Sequence, residues 1–324
     1  MTEPGSSAPP TLDRRAIPPG AVEAHWRAGD GHLIRRIDWP VPRGVCRGSL
    51  LFMPGRGDAY EKYLETLEHW HRSGWRVTAL DWRGQAGSGR LGFDEVTGHV
   101  DDFSVWVEDL AAFWAEWKGT TPEPHVLVAH SMGAHIALRA LAEARVDPDT
   151  AVLSAPMLGF NPGFVPPVLM HWLAKLMARI GDPRRPAWKW SEKPGQPPED
   201  RIKLLTHDKD RYADELWWRS ARPELVMGPA SWGWMERALA SIRLLDRPGM
   251  LERVTLPVLI LATSEDRLVE FGAVERAARR MARAQLVRFG AESRHEILRE
   301  ADPVRDRALA AIDEFLDRTA PVID

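Results

Sequence analysis

The stretch VLVAHSMGAHIAL, residues 126–138, sets Ser131 between a β-branched apolar run and an alanine-rich one. A serine hydroxyl becomes a useful nucleophile only when a base takes its proton. That base needs a carboxylate to fix its tautomer and to stabilise the cation it becomes. Groups of all three kinds are available. Glu265 and Asp266 lie in LATSEDRLVE, and His295 lies in GAESRHEILRE. Asp266 is the favoured acid and Glu265 the alternative. An acid that merely caps the following helix is the plainer reading. The oxyanion formed by attack on a carbonyl needs two N–H donors, each worth ~10²–10³ in rate. Met132, next after Ser131 and at a helix N-terminus, offers one backbone N–H. Arg56 in PGRGD offers the other, through its backbone rather than its guanidinium, although PGRGD also reads as an ordinary turn.

An x-Ser-x-Gly turn between a strand and a helix is the nucleophile elbow of the α/β-hydrolase fold. Strand and helix come very close there, so small residues are needed two before and two after the serine. Here they are Ala129 and Gly133. Glycine is usual at both positions, so Ala129 is a departure. A serine that only caps a helix is the competing reading of the pentapeptide. The fold orders its groups serine, acid, histidine. Of eleven histidines only His295 follows the strand PVLILAT, which makes it the one candidate base. His130 and His135 flank the elbow and read as packing or hydrogen-bonding residues.

The elements that would carry these groups alternate. HLIRRIDWPV and GSLLFMPG read as strands, AYEKYLETLEHWHRSG as a helix, WRVTALD as a strand and VDDFSVWVEDLAAFWAEWK as a long helix. HVLVAH, MGAHIALRALAEA and TAVLSAP continue as strand, helix, strand. The pattern stops near Pro156. It resumes with the strand in VTLPVLILATSED, the helix FGAVERAARRMARA, the strand QLVRF and the helix PVRDRALAAIDEFLDRTA. Several strands are apolar throughout, which predicts a mostly parallel sheet covered by helices on both faces. The α/β core is assigned to residues 21–156 and 247–324. Residues 157–246 are read as an inserted helical cap, holding seven of the fifteen tryptophans. In PPVLMHWLAKLMARIG an apolar stripe runs through Val168, Leu169, Trp172, Leu173, Leu176, Met177 and Ile180, with His171, Lys175 and Arg179 off it. Such a stripe packs on the core, lines an acyl pocket or meets a membrane interface. RRPAWKWSEKPGQPPED reads as a loop.

The chain has 324 residues and a net charge of -3 with acids and bases interspersed, so nothing indicates a nucleic-acid surface. A single cysteine, Cys46, excludes an internal disulfide framework and fits a reducing compartment. No metal-ligand spacing is visible. Residues 1–20, rich in Pro, Gly and Ser, lack the apolar core of a signal peptide and read as a disordered lead-in. No run approaches the ~18 apolar residues of a membrane span. The expectation is a cytoplasmic protein, with peripheral contact at the inner membrane surface through the cap.

The motifs together resemble the lysophospholipase and monoacylglycerol lipase branch of the α/β-hydrolases. AHSMGA is similar to that branch's GHSMGG, and DWRGQAGSGR to its D-x-R-G-x-G-x-S loop with Ala86 for one Gly. SEDRLV resembles the loop that carries the acid, which implies that role for Asp266. SRHEILRE resembles the segment that carries the histidine. PGRGDAYEKY and LTHDKDRYADELWW…PELVMGPASWGW look like the bacterial lysophospholipases. The resemblance runs from about residue 25 to near the end. It implies cleavage of lipid-like carboxylic esters, lysophospholipid or monoacylglycerol, without a cofactor. A small-ester or peptide hydrolase of the same fold is the alternative. So is a non-catalytic binding protein, against which the complete set of three groups argues.

Overall fold

The computed structural model describes residues 12–41, 46–161, 166–188 and 199–321. The first elements are strands β1 (Val22–Arg27), β2 (Leu33–Trp39) and β3 (Ser49–Met53), then helix α1 (Leu64–Arg72) and strand β4 (Arg76–Leu80). Next come α2 (Phe103–Lys118), β5 (His125–His130), α3 (Ser131–Ala142) and β6 (Thr150–Ser154). Four helices follow before the sheet resumes: α4 (Pro167–Arg179), α5 (Glu199–Leu205), α6 (Lys209–Ala221) and α7 (Trp232–Leu245). The chain then runs through β7 (Val258–Thr263), α8 (Phe271–Arg280), β8 (Ala284–Phe289) and α9 (Asp302–Thr319).

The eight strands form one sheet in the order β1-β2-β4-β3-β5-β6-β7-β8. Only β1/β2 and β2/β4 pair antiparallel, and all other neighbours are parallel. In β3, β5, β6 and β7 every residue is buried, which is why they read as unbroken apolar runs. Alternation still sorts β5: Leu127 and Ala129 face one core layer, Val126 and Val128 the other. Because β3, β5, β7 and β8 run parallel, the loops that leave them emerge at one edge of the sheet. That edge is where open α/β sheets place their ligands.

Three expectations need correction. Strand β1 was not read from the sequence. It is an edge strand, and Trp26 is its one buried residue. Trp26 is held from outside: its ring meets Phe113 edge-on at 5.5 Å, and its Nε1 donates to Glu116 at 2.8 Å. Part of the lead-in is also seated. Arg14 and Arg15 both reach Asp214 on α6, at 2.6 and 2.7 Å, and Trp218 donates to the Arg14 carbonyl. Residues 1–11 lie outside the described residues, as do 189–198 of the expected loop. Finally, the stripe on α4 does not pack on the core. Ala174 on the opposite side is buried and α4 lies along α7, while Val168, Leu169, Trp172, Leu173, Leu176 and Ile180 face outward at 47–64% exposure. Among the described residues no helix is long and apolar enough to cross a membrane.

Candidate active site

Ser131 directly follows β5 and begins α3 with φ 51°, in the left-handed region that costs an L-residue strain. From this turn the hydroxyl reaches the His295 ring at 2.9 Å. The strand–helix junction is tight on its far side. A Cβ on Gly133 would lie 2.2 Å from the Pro54 carbonyl oxygen and 2.6 Å from that of Met53, both at the end of β3. Gly133→Ala is therefore expected to destabilise the fold by about 1–3 kcal/mol and to displace the Met132 N–H. A lowered thermal unfolding midpoint together with lost activity is the expected readout, and a variant with native stability would contradict it. Ala129 is fully buried between Met53 and Leu153, so the position two before the serine carries a methyl group within the regular sheet.

His295 comes from the loop after β8. Its Nε2 lies 2.9 Å from Ser131 Oγ and its Nδ1 lies 2.7 Å from Asp266 Oδ2. With the Nδ1 proton donated to the carboxylate, Nε2 is left to accept from the serine hydroxyl. Asp266 is itself anchored: its Oδ1 accepts the N–H groups of Leu268 and Val269 at 2.8 and 3.0 Å. Burial pushes the Asp266 carboxyl up, but the His295 ring and those N–H groups outweigh it and hold the carboxyl below its usual range. Burial likewise pushes His295 down, and the Asp266 carboxylate more than reverses this, leaving the imidazole raised above 6.5. Glu265, the alternative acid, points to solvent. Ser131, Asp266 and His295 are thus brought together from three loops on one sheet edge.

His130 and His135 are not part of this chain of contacts. Burial and the neighbouring His295 ring, 5.0 Å away, pull His130 down to about 4, so it is neutral at neutral pH. His135 is pulled down to about 3 by burial and by Arg139, and it bonds Ser241 on α7 at 2.8 Å.

The two oxyanion candidates lie on the loop after β3 and in the first turn of α3. On the β3 loop, the N–H groups flanking Arg56 are fixed: Gly55 donates to Asp58 at 3.1 Å and Gly57 to Gln85 at 2.7 Å. A Cβ on Gly55 would stand 3.1 Å from Ser131 Cβ and 2.8 Å from Asp58, so the loop passes the elbow as closely as glycine permits. The Arg56 guanidinium is occupied elsewhere, donating to the Gly228 carbonyl at 2.9 Å and lying 5.2 Å from the Trp234 ring. Sequence reasoning missed the residues that set this geometry. Gln85 touches both walls, since its amide nitrogen also lies 3.8 Å from the Met132 sulfur. Trp82 donates to the Pro54 carbonyl at 2.7 Å. Both belong to the DWRGQAGS loop, whose presence signalled the family without revealing what the loop holds.

The serine–acid–histidine order along the chain, and the sheet from which these loops hang, are those of the α/β-hydrolases, the class this fold defines. The family model described as serine aminopeptidase, S33 matches residues 44–302, and the chain belongs to that family of hydrolases. Its relatives include lysophospholipase L2 of Escherichia coli, 32% identical over 281 residues that cover 83% of this chain and 80% of that one. A monoacylglycerol lipase of Mycolicibacterium smegmatis is 27% identical, covering 76% and 79%. A soluble variant of monoglyceride lipase from Saccharomyces cerevisiae shares the fold, with a TM-score of 0.74 over 97% of this chain and 99% of that one, at 19% identity.

Proposed function

We propose that this chain is a serine ester hydrolase that cleaves lipid-like carboxylic esters, lysophospholipid or monoacylglycerol, through an acyl-enzyme. The observation that carries the reading is the unbroken chain Ser131–His295–Asp266, at 2.9 and 2.7 Å, in a chain 32% identical to a lysophospholipase. Ser131 Oγ attacks the ester carbonyl carbon while His295 Nε2 takes its proton. The N–H groups of Met132 and Arg56 hold the oxyanion of the tetrahedral intermediate. Its collapse breaks the bond to the alcohol, which leaves with the proton from His295. Water, deprotonated by His295, then attacks the acyl-serine, and the fatty acid departs. The deciding experiment is an activity panel of lysophosphatidylcholine, monoacylglycerols and p-nitrophenyl esters of graded length. Preference for long acyl groups supports the reading, and preference for short esters would contradict the lipid assignment. Peptide cleavage is a second reading favoured by the family's description, and aminoacyl-p-nitroanilides in the same panel separate it.

Residues 157–246 are read as the cap over this site, with α4 as its lipid-facing surface. The support is the outward stripe of five large apolar side chains on α4, continued by Ile180 at its C-cap, with Lys175 and Arg179 on the same helix. Lys175 lies 5.6 Å from the Trp172 ring. An apolar face flanked by cations suits an anionic lipid interface, where the hydrocarbon surface leaves water and the cations meet headgroups. On this reading the protein works in the cytoplasm at the inner membrane surface. Trp172→Ser with Leu176→Ser is expected to weaken sedimentation with phosphatidylglycerol vesicles at least tenfold, since two exposed large side chains supply ~2–4 kcal/mol of the transfer. Hydrolysis of a water-soluble short ester should stay unchanged. Undiminished vesicle binding would exclude α4 as the contact.

A further inference from the structure

Behind the oxyanion loop lies a buried cluster of charges that the reaction itself does not use. The Lys62 side chain is 4% exposed, yet its ammonium meets three carboxylates: Asp58 Oδ1 at 2.5 Å, Glu296 Oε1 at 2.6 Å and Glu215 Oε2 at 3.3 Å. Each comes from a different part of the fold. Asp58 is in the loop that presents Arg56, and its other oxygen accepts from Gly55 N–H and from the Tyr63 hydroxyl, at 3.1 and 2.8 Å. Glu296 directly follows His295. Glu215 sits on α6, between β6 and β7 in the chain. Arg299 closes the circuit, donating to Glu215 at 3.0 Å, to Glu296, and to the Arg211 carbonyl on α6 at 2.5 Å. A backbone bond ties the same loop to the end of α5, with Glu296 N–H donating to the Leu205 carbonyl at 2.8 Å.

We propose that Lys62, Glu215 and Glu296 form an ionic latch that holds the oxyanion loop and the His295 loop in register against α6, and that all three are positioning residues for hydrolysis. The inference rests on the hydrolytic reading of Ser131. Its physical basis is directional. Apolar side chains would bind these segments together without desolvating five charges, but they would not fix their relative positions. An ammonium with three donors and three partners does fix them. Two of those partners, Glu296 and Asp58, are one residue from His295 and two residues from Arg56, the groups that must reach the reacting carbonyl. Displacements of about an ångström in such groups cost up to ~10²-fold in rate. The groups that face His295 are Asp266, His130, Glu296 and, across His130, Asp58. Glu296 belongs to the latch and Asp58 pairs with its Lys62, so the latch also contributes to the charge around the base.

The test uses Glu215→Gln and Glu296→Gln, which keep side-chain volume, alongside Lys62→Met. Kinetics with a p-nitrophenyl ester across pH are read beside the unfolding midpoint. Glu215→Gln is expected to lower kcat about tenfold with KM held within about twofold. Glu296→Gln is expected also to move the acid limb of kcat/KM to lower pH, because a negative charge beside His295 is gone. Lys62→Met should lower kcat further, and if it fails to fold the two carboxamides decide. Retention of wild-type kcat and acid limb by both carboxamides, with only a lowered unfolding midpoint, overturns the proposal. Labelling by a fluorophosphonate separates the two levels. A wild type that takes no label at Ser131 removes the hydrolytic reading and this inference together. A labelled wild type with unaltered variants removes the latch alone.

Discussion

Ser131→Ala is expected to reduce hydrolysis by ~10⁵–10⁶-fold in kcat, leaving the residual rate that binding and the oxyanion donors supply without a nucleophile. The expectation follows from position. The 2.9 Å contact from Ser131 Oγ to His295 Nε2 is the one route in this site by which an imidazole can take a hydroxyl proton. Alanine removes that oxygen and leaves the φ 51° turn, Gly133 and the strand–helix contact as they were. The unfolding midpoint should therefore stay close to that of the wild type. Fluorophosphonate labelling should vanish with the activity. Labelling that survives in the variant, or a rate within tenfold of wild type, would put the nucleophile elsewhere.

Asp266→Asn should lower kcat by ~10⁴-fold although it keeps the shape of the side chain. The amide oxygen can still accept from Leu268 and Val269 N–H, so the loop keeps its anchor. The change falls on His295. An amide NH₂ facing Nδ1 donates where the carboxylate accepted, which forces the imidazole proton onto Nε2. A protonated Nε2 faces Ser131 as a donor and cannot take the hydroxyl proton. The pH profile gives a second reading of the same contact. In the wild type Asp266 raises His295 above 6.5, so kcat/KM falls as pH drops through that raised value and the imidazole becomes charged. Without the carboxylate the acid limb moves to lower pH. A variant that keeps both the rate and the limb would show that Asp266 does not orient the base, and Glu265, exposed on the same loop, would have to be reconsidered.

Some features of the site were legible because their causes are local. An x-Ser-x-Gly between an apolar run and an alanine-rich helix suits either a nucleophile elbow or a helix cap, and Gly133 is required by two carbonyl oxygens at the end of the neighbouring strand. His295 followed from chain order, being the one histidine after β7. The central strands were legible because burial on both faces demands continuous apolar sequence. Asp266 and Glu265 are neighbours of the same chemistry, however, and only the path of the loop turns one inward and the other to solvent.

Everything else depended on partners far along the chain. Strand β1 exists because Trp26 finds Phe113 and Glu116, about 90 residues on, which no local pattern announces. Gln85 gains its place from Gly57 and Met132, and Lys62 from Glu215 and Glu296. The stripe on α4 has the same 3.6-residue period whether it turns toward protein or toward solvent, and the packing of Ala174 beside α7 decides which. The sequence by itself determined where the serine stands between strand and helix and in what order acid and histidine follow it, because strand, turn and helix obey short-range sterics. The tertiary structure decided which carboxylate reaches the imidazole, what braces the loop after β3 and which face of α4 meets the outside, because those outcomes come from contacts that exist only once the chain has closed on itself.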